Sequence, residues 1–242
     1  MTPSTIKTRG IVLSHVKYGD NSIVVNIYTE LLGRQGFIVG NSNRNHKNII
    51  PLLMPLSMVE IEAANRTHTT LQRIKNLHVA RPLRTIPFNA ARRSISMFIT
   101  ELLTKSLRDE GADESMFHFL SESIETLDSG INGECNFHIY FMLGLAQRLG
   151  FSPDMSQSEL PIFDLSEGIF TAQLPMHQYI IINDDLQLWR KLLYAENGDL
   201  PHIASSRTER ARLVEMLQDY FKLHIPSFGS LNSCAILQQL FA

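Results

Sequence analysis

Ser22-Ile23-Val24-Val25-Asn26-Ile27-Tyr28-Thr29 decides the fold of the first third of the chain. Six of its eight side chains are β-branched or aromatic, which suits a pleated, half-buried surface. Turn-forming residues bound it: Lys17-Tyr18-Gly19-Asp20 before, Leu32-Gly33-Arg34-Gln35-Gly36 after. Working outward, Gly10-Ile11-Val12-Leu13-Ser14-His15-Val16 is a second β-branched run and Phe37-Ile38-Val39 a short third one. A polar loop follows, Gly40-Asn41-Ser42-Asn43-Arg44-Asn45-His46-Lys47-Asn48. Leu56 to Ala63 then alternates apolar with polar, as a half-buried strand does. Leu71 to Val79 is a fifth candidate, set off by Asn65-Arg66-Thr67-His68-Thr69-Thr70. Five short strands with Gly and Asn at the turns predict a small closed barrel. The OB-fold has this strand count, as does an SH3-like barrel, and the OB-fold's use in binding single strands fits a basic, loop-rich segment.

The second part of the chain reads differently. Pro82-Leu83-Arg84-Thr85-Ile86-Pro87-Phe88-Asn89-Ala90 carries two prolines and reads as a linker, so the expected division is residues 1–82 and 83–242. Ile95, Phe98, Ile99, Leu102, Leu103 and Leu107 recur at helical spacing, predicting a helix of about 90–108 closed by Gly111. Phe117, Leu120, Ile124 and Leu127 mark a second helix ending at Ser129-Gly130, and Phe137, Phe141, Leu145 and Leu149 a third ending at Gly150. Residues 151–182 lack long helical patterning and read as irregular or holding short strands. Asn183 or Asp184 is the expected cap of a helix carrying Leu186, Trp189, Leu192 and Leu193; Ser206 with Glu209 has capping-box spacing before another. The fold class is α+β: a five-stranded barrel of the OB-fold or SH3-like kind, then a mostly α-helical domain with a short irregular or β insert.

Composition narrows the function. The 242 residues are 44% hydrophobic and 19% charged, ordinary for a globular protein. No apolar run approaches the roughly 18 residues of a membrane span, and Met1 to Lys7 lacks the apolar core of a secretory signal, so cytoplasmic residence is expected. Cys135 and Cys234 are the only cysteines, too few for a disulfide framework or a cysteine-based zinc cluster within one chain. The net charge of −2 hides an asymmetry: residues 1–82 hold ten Lys/Arg against four Asp/Glu, the remaining 160 twelve against twenty. A polyanion partner for the first segment fits that excess; so does an ordinary solvated surface. No P-loop, G-x-G-x-x-G, H-E-x-x-H or G-x-S-x-G pattern occurs, and the nine histidines show no metal-ligand spacing. Asp184-Asp185 reads as capping carboxylates, and Arg207, Arg210 and Arg212 as helix-start cations balanced by neighbouring acids such as Glu209. No enzyme, cofactor or metal is expected.

The order of motifs carries a family resemblance. Thr8-Arg9-Gly10-Ile11-Val12-Leu13, Tyr18-Gly19-Asp20-Asn21-Ser22-Ile23-Val24, Tyr28-Thr29 and Gly33-Arg34-Gln35-Gly36 resemble the opening of the RecO recombination mediators. Gly40 with its basic loop and Leu53-Met54-Pro55-Leu56-Ser57-Met58-Val59-Glu60 continue the likeness. Leu143-Gly144-Leu145-Ala146-Gln147-Arg148-Leu149-Gly150-Phe151-Ser152-Pro153 resembles the family's helix before a variable insert. Several members carry a four-cysteine zinc site there, whereas residues 151–182 have no cysteine; Phe163 to Phe170 occupies its place, read as a turn between short strands, with local packing in place of metal.

The resemblance implies a non-enzymatic, bacterial mediator of recombinational repair, nucleoid-associated during repair. It would bind single- and double-stranded DNA, anneal strands, take the C-terminal tail of single-stranded DNA-binding protein, and load RecA together with RecR. Arg9, Lys17, Arg34, Arg44, Lys47 and Lys75 are the expected DNA contacts, with Arg44 and Lys47 favoured because their loop matches the family's basic segment. For the tail, an acidic peptide with an apolar end, Arg92, Arg93, Lys105 and Arg148 are basic residues beside apolar stripes, and Phe141 and Leu145 the expected groove edge. The competing readings are a protein-interaction module whose barrel never meets nucleic acid, and an enzyme with an unrecognised site.

Overall fold

The computed structural model describes residues 4–19, 22–40, 49–65, 69–107, 111–195, 199–204 and 206–240. By packing, the chain divides into two compact units, Met1–Ser129 and Gly130–Ala242.

The first unit is built on five strands: β1 (Ser4–Tyr18), β2 (Ser22–Thr29), β3 (Gly33–Gly40), β4 (Met58–Asn65) and β5 (Leu71–Arg81). They close in the order β1-β2-β3-β5-β4, with β3 parallel to β5 and the other pairs antiparallel. This is the OB-type arrangement expected. Val12, Ile23, Val25, Ile27, Phe37, Val39, Val59, Ile61 and Ile74 fill the interior, each on the inward phase of its strand. β3 starts earlier than its apolar residues suggest. Gly33 adopts φ 65 and turns the chain directly into pairing with Thr29, so Gly33 to Gly36, read as a stop, is strand.

The unit also contains two α-helices among its described residues, α1 (Ala90–Ser106) and α2 (Glu114–Ser129). Asn89 caps α1, its side-chain oxygen accepting the Arg92 N–H at 3.1 Å. The proline-bearing segment before it is pinned rather than free. Asp128, at the end of α2, accepts the backbone N–H groups of Arg84 (2.8 Å), Thr85 (2.8 Å) and Ile86 (2.9 Å). Burial opposes ionisation of that carboxyl, yet the N–H donors prevail and hold it below the usual aspartate range. These bonds tie α2 to the segment that leaves the barrel, and Arg34 of β3, donating to the Thr104 carbonyl, ties α1 to the barrel.

The second unit contains α3 (Phe137–Arg148), α4 (Asn183–Leu193), a short α5 (Leu200–Ile203), α6 (Arg207–His224) and α7 (Cys234–Leu240). Phe137, Phe141 and Leu145 of α3 are buried, as their spacing predicts. The 151–182 insert holds a three-stranded sheet: β6 (Ile162–Asp164), β7 (Ile169–Thr171) and β8 (Ile180–Ile181), in the order β7-β6-β8. Ser206 caps α6, accepting the Glu209 N–H at 3.1 Å. The expected cap of α4 is different: its N-cap is Ile182, with no side-chain cap bond, and Asn183 sits inside the helix at φ 55. Asp185 instead receives a forked pair of bonds from Arg212.

Candidate nucleic-acid interface

The outer surface of the barrel is divided by what covers it and by charge. At one end of the β1–β2–β3 sheet, Ile11, Tyr28 and Arg34 form one cross-strand row. Ile11 and Tyr28 are fully buried, and Arg34 donates from Nη1 to the Thr104 carbonyl of α1 at 2.7 Å. On β1, β4 and β5 the rows are Lys7–Glu62–Asn76 and Arg9–Glu60–His78, mixing both signs around a groove of about 510 Å³. Neither surface suits a phosphate chain: the first is covered, and the second carries carboxylates that repel it.

The open half of the β1–β2–β3–β5 surface is different. A β-bulge at Leu13 breaks the alternation of β1, so Val16 and Tyr18 point outward while Lys17 pairs with core-facing Ile23. The outward rows are Tyr18–Ser22–Gly40 and Val16–Val24–Ile38–Arg73. Val16 and Tyr18 are each 58% exposed. Gly40 leaves a flat place on which the Arg73 guanidinium rests; a Cβ there would lie 2.7 Å from Arg73 Nη2. The described carboxylates of residues 1–82 lie off this face: Glu30 at the far end of β2, Glu60 and Glu62 on β4.

Of the six expected DNA contacts, four are described. Arg9 is engaged in a bidentate pair with Glu30, its Nε 2.9 Å from Oε2, and lies 5.4 Å from the Phe117 ring centre. The hydrogen bond to Glu30 raises the Arg9 pKa and, reciprocally, lowers that of Glu30. Arg34 is held by Thr104 as above. Lys75 donates to Thr5 Oγ1 at 2.6 Å on the exposed side of β5. Lys17 is exposed at the barrel mouth with no partner among the described residues. Arg44 and Lys47 lie outside the described residues. Sequence reasoning did not nominate Arg73 or Tyr18, though the alternation Gln72-Arg73-Ile74 places Arg73 outward.

The residues expected at the peptide site are divided between the two units. Arg92, Arg93 and Lys105 belong to the first unit, Phe141, Leu145 and Arg148 to the second. Arg92 donates to Thr85 Oγ1 at 2.7 Å, Arg93 to the Pro87 carbonyl at 3.2 Å, and Lys105 faces Glu101 at 3.4 Å. Phe141 and Leu145 are 2% and 0% exposed, so they are core residues and edge no open groove. Arg148 is exposed on the last turn of α3. A cavity of about 340 Å³ does open in this unit beside β8 and α6, but its cations Arg212 and Lys222 pair with Asp185, Glu215 and Asp219. No group of three or more His, Cys, Asp or Glu able to hold a metal occurs among the described residues. No helix, again among described residues, is long and apolar enough to cross a membrane.

Comparison with known proteins agrees with this architecture. The family model described as Recombination protein O N terminal matches residues 1–83, and Recombination protein O C terminal matches residues 87–232. The DNA repair protein RecO of Bacteroides fragilis is 34% identical over 239 residues, covering 97% of this chain and 98% of that protein. That of Phocaeicola vulgatus is 34% identical over 239 residues (98% and 99%), and that of Flavobacterium psychrophilum 30% over 240 (98% and 99%). With both family models in sequence across an OB-type barrel and a helical unit, the chain belongs to the RecO family of DNA repair proteins.

Proposed function

We propose that this protein is a non-enzymatic, cytoplasmic recombination mediator. It binds single- and double-stranded DNA through its barrel, promotes annealing, and works with RecR and single-stranded DNA-binding protein in loading RecA. The observation that carries the DNA-binding part is the outer face of β1–β2–β3–β5, which holds Arg73 and, among the described residues, no carboxylate, and whose strand β3 runs in sequence into the segment bearing Arg44 and Lys47. Phosphate contacts of this kind position a strand without reading its sequence. Family membership supports the repair context, and the acidic second unit suits contacts with proteins.

A titration of an arbitrary-sequence oligonucleotide at several salt concentrations tests the reading. Affinity falls with salt by about 0.7 to 0.9 log–log units per phosphate neutralised, so changing Arg44 and Lys47 together to Ala flattens the slope by roughly 1.5. An unchanged slope in a folded variant moves the contact away from that loop. Absence of salt-dependent binding by the wild-type protein favours an interaction module whose barrel never meets nucleic acid.

A further inference from the structure

We infer that Tyr18 is a stacking platform for an unpaired base, and that Arg73, laid across Gly40, holds the adjoining backbone, so that this face distinguishes single strands from duplex. The inference rests on the DNA-binding reading above and adds strand selectivity to it. Tyr18 is more than half exposed, although burying an aromatic ring in the barrel is what the hydrophobic effect favours. The bulge at Leu13 is what aims it outward. Its row continues through Ser22, a small side chain, to Gly40, which has none and against which the Arg73 guanidinium lies. Two strand spacings, about 10 Å, separate Tyr18 from Gly40. Half-buried Val24 and Ile38 floor the next row. A flat apolar floor, an exposed ring at one side, a planar cation at the other and no described carboxylate is the combination that receives splayed bases and their phosphates. In a duplex the base faces are already stacked on one another, so Tyr18 has nothing to receive.

The test is fluorescence anisotropy of the full chain with a labelled single-stranded oligonucleotide and the matching duplex. Tyr18→Ala is expected to weaken single-strand binding about 5- to 150-fold and to leave duplex affinity unchanged. Tyr18→Phe, which keeps the ring, retains single-strand affinity. Arg73→Ala flattens the single-strand salt slope by about 0.7, whereas Tyr18→Ala does not alter it. Gly40→Ala displaces the guanidinium and reproduces the Arg73→Ala loss with an unchanged melting midpoint. Equal loss on both substrates with Tyr18→Ala, loss with Tyr18→Phe, or no effect of Tyr18→Ala on a wild type that binds DNA overturns the stacking assignment while leaving DNA binding intact. A wild type that does not bind in a salt-dependent way removes the underlying reading as well.

Discussion

The second unit carries a built-in sensitivity to mild acid through His138. This residue lies on α3 and is 3% exposed. Burial, with a lesser contribution from the Arg210 charge, pushes its pKa down to about 3. An unfolded chain restores it to about 6.5. The folded pKa is therefore depressed, so the unfolded state binds the extra proton, and stability falls as pH drops below about 6.5 until the folded value near 3 is reached. Each pH unit in that window costs about 1.4 kcal/mol, so moving from pH 7.5 to pH 5 removes roughly 2 kcal/mol. Carboxylates do not confuse the measurement. Glu30, Asp128, Asp154 and Asp185 all have lowered pKa values, so their contributions are complete above their unfolded values near 4 and fade only at lower pH. Urea unfolding followed by Trp189 fluorescence reports on this unit, because the chain has a single tryptophan and Trp189 is fully buried there. With a urea slope of about 2 kcal/mol per molar, the midpoint drops by about 1 M at pH 5. His138→Gln, which cannot titrate, loses this shift. A wild-type midpoint that stays put, or a shift that persists in the Gln variant, refutes the reasoning.

Asp128→Ala leaves three backbone N–H groups without their acceptor and is expected to cost on the order of 3 kcal/mol in thermal or urea unfolding. The carboxylate's contribution, complete at neutral pH, disappears as pH falls through its depressed folded value. Arg190→Lys loses the forked donation to the Ser158 and Leu160 carbonyls, both 2.6 Å, and is expected to speed proteolysis within residues 151–182 before the rest of the chain. Metal analysis of protein purified without added zinc is expected to give well below one equivalent; stoichiometric zinc surviving a chelator contradicts the expectation. Arg148→Ala is expected to weaken binding of an acidic tail peptide by about 1.5–3 kcal/mol if its guanidinium meets the terminal carboxylate, and an unaltered isotherm removes it from that role.

Local patterning made much of the barrel legible. Val59 to Ala63 alternates apolar with charged side chains, and β4 runs Met58–Asn65. β1 was less readable because a bulge changes phase. Counting by twos from core-facing Val12 points Ser14, Val16 and Tyr18 inward, whereas the extra residue at Leu13 sends Val16 and Tyr18 out. That is why the open face could not be assembled from alternation alone. The state of the cations was hidden for another reason. Arg9 meets Glu30 across 21 positions and Arg34 meets Thr104 across 70. A charge count treats both as available for a polyanion, and only the tertiary fold separates them from Lys17 and Arg73. The expected groove edge at Phe141 and Leu145 rested on the same helical spacing that revealed α3, and the stripe that predicts the helix is the face it buries.

The cysteine-free insert shows how short strands persist without local stability of their own. Strands of three, three and two residues are below what an isolated sheet sustains. In many small domains a metal supplies the missing free energy by tying distant chain positions together. Here Phe163 occupies that central place. It is fully buried, with the rings of Phe170, Trp189 and Tyr220 centred 4.9, 5.3 and 6.2 Å away. Trp189 belongs to α4 and Tyr220 to α6, so one side chain joins the sheet to two helices. Tyr220 also donates to the Phe151 carbonyl at 2.7 Å, fixing the start of the insert, while Arg190 holds Ser158 and Leu160 and lies over Phe170. The insert is thus anchored at its entrance, its middle and its central strand by residues that follow it in sequence. Each anchor is a long-range contact, so the strands form only when α4 and α6 are in place, and the sheet's stability is inseparable from that of the helical unit.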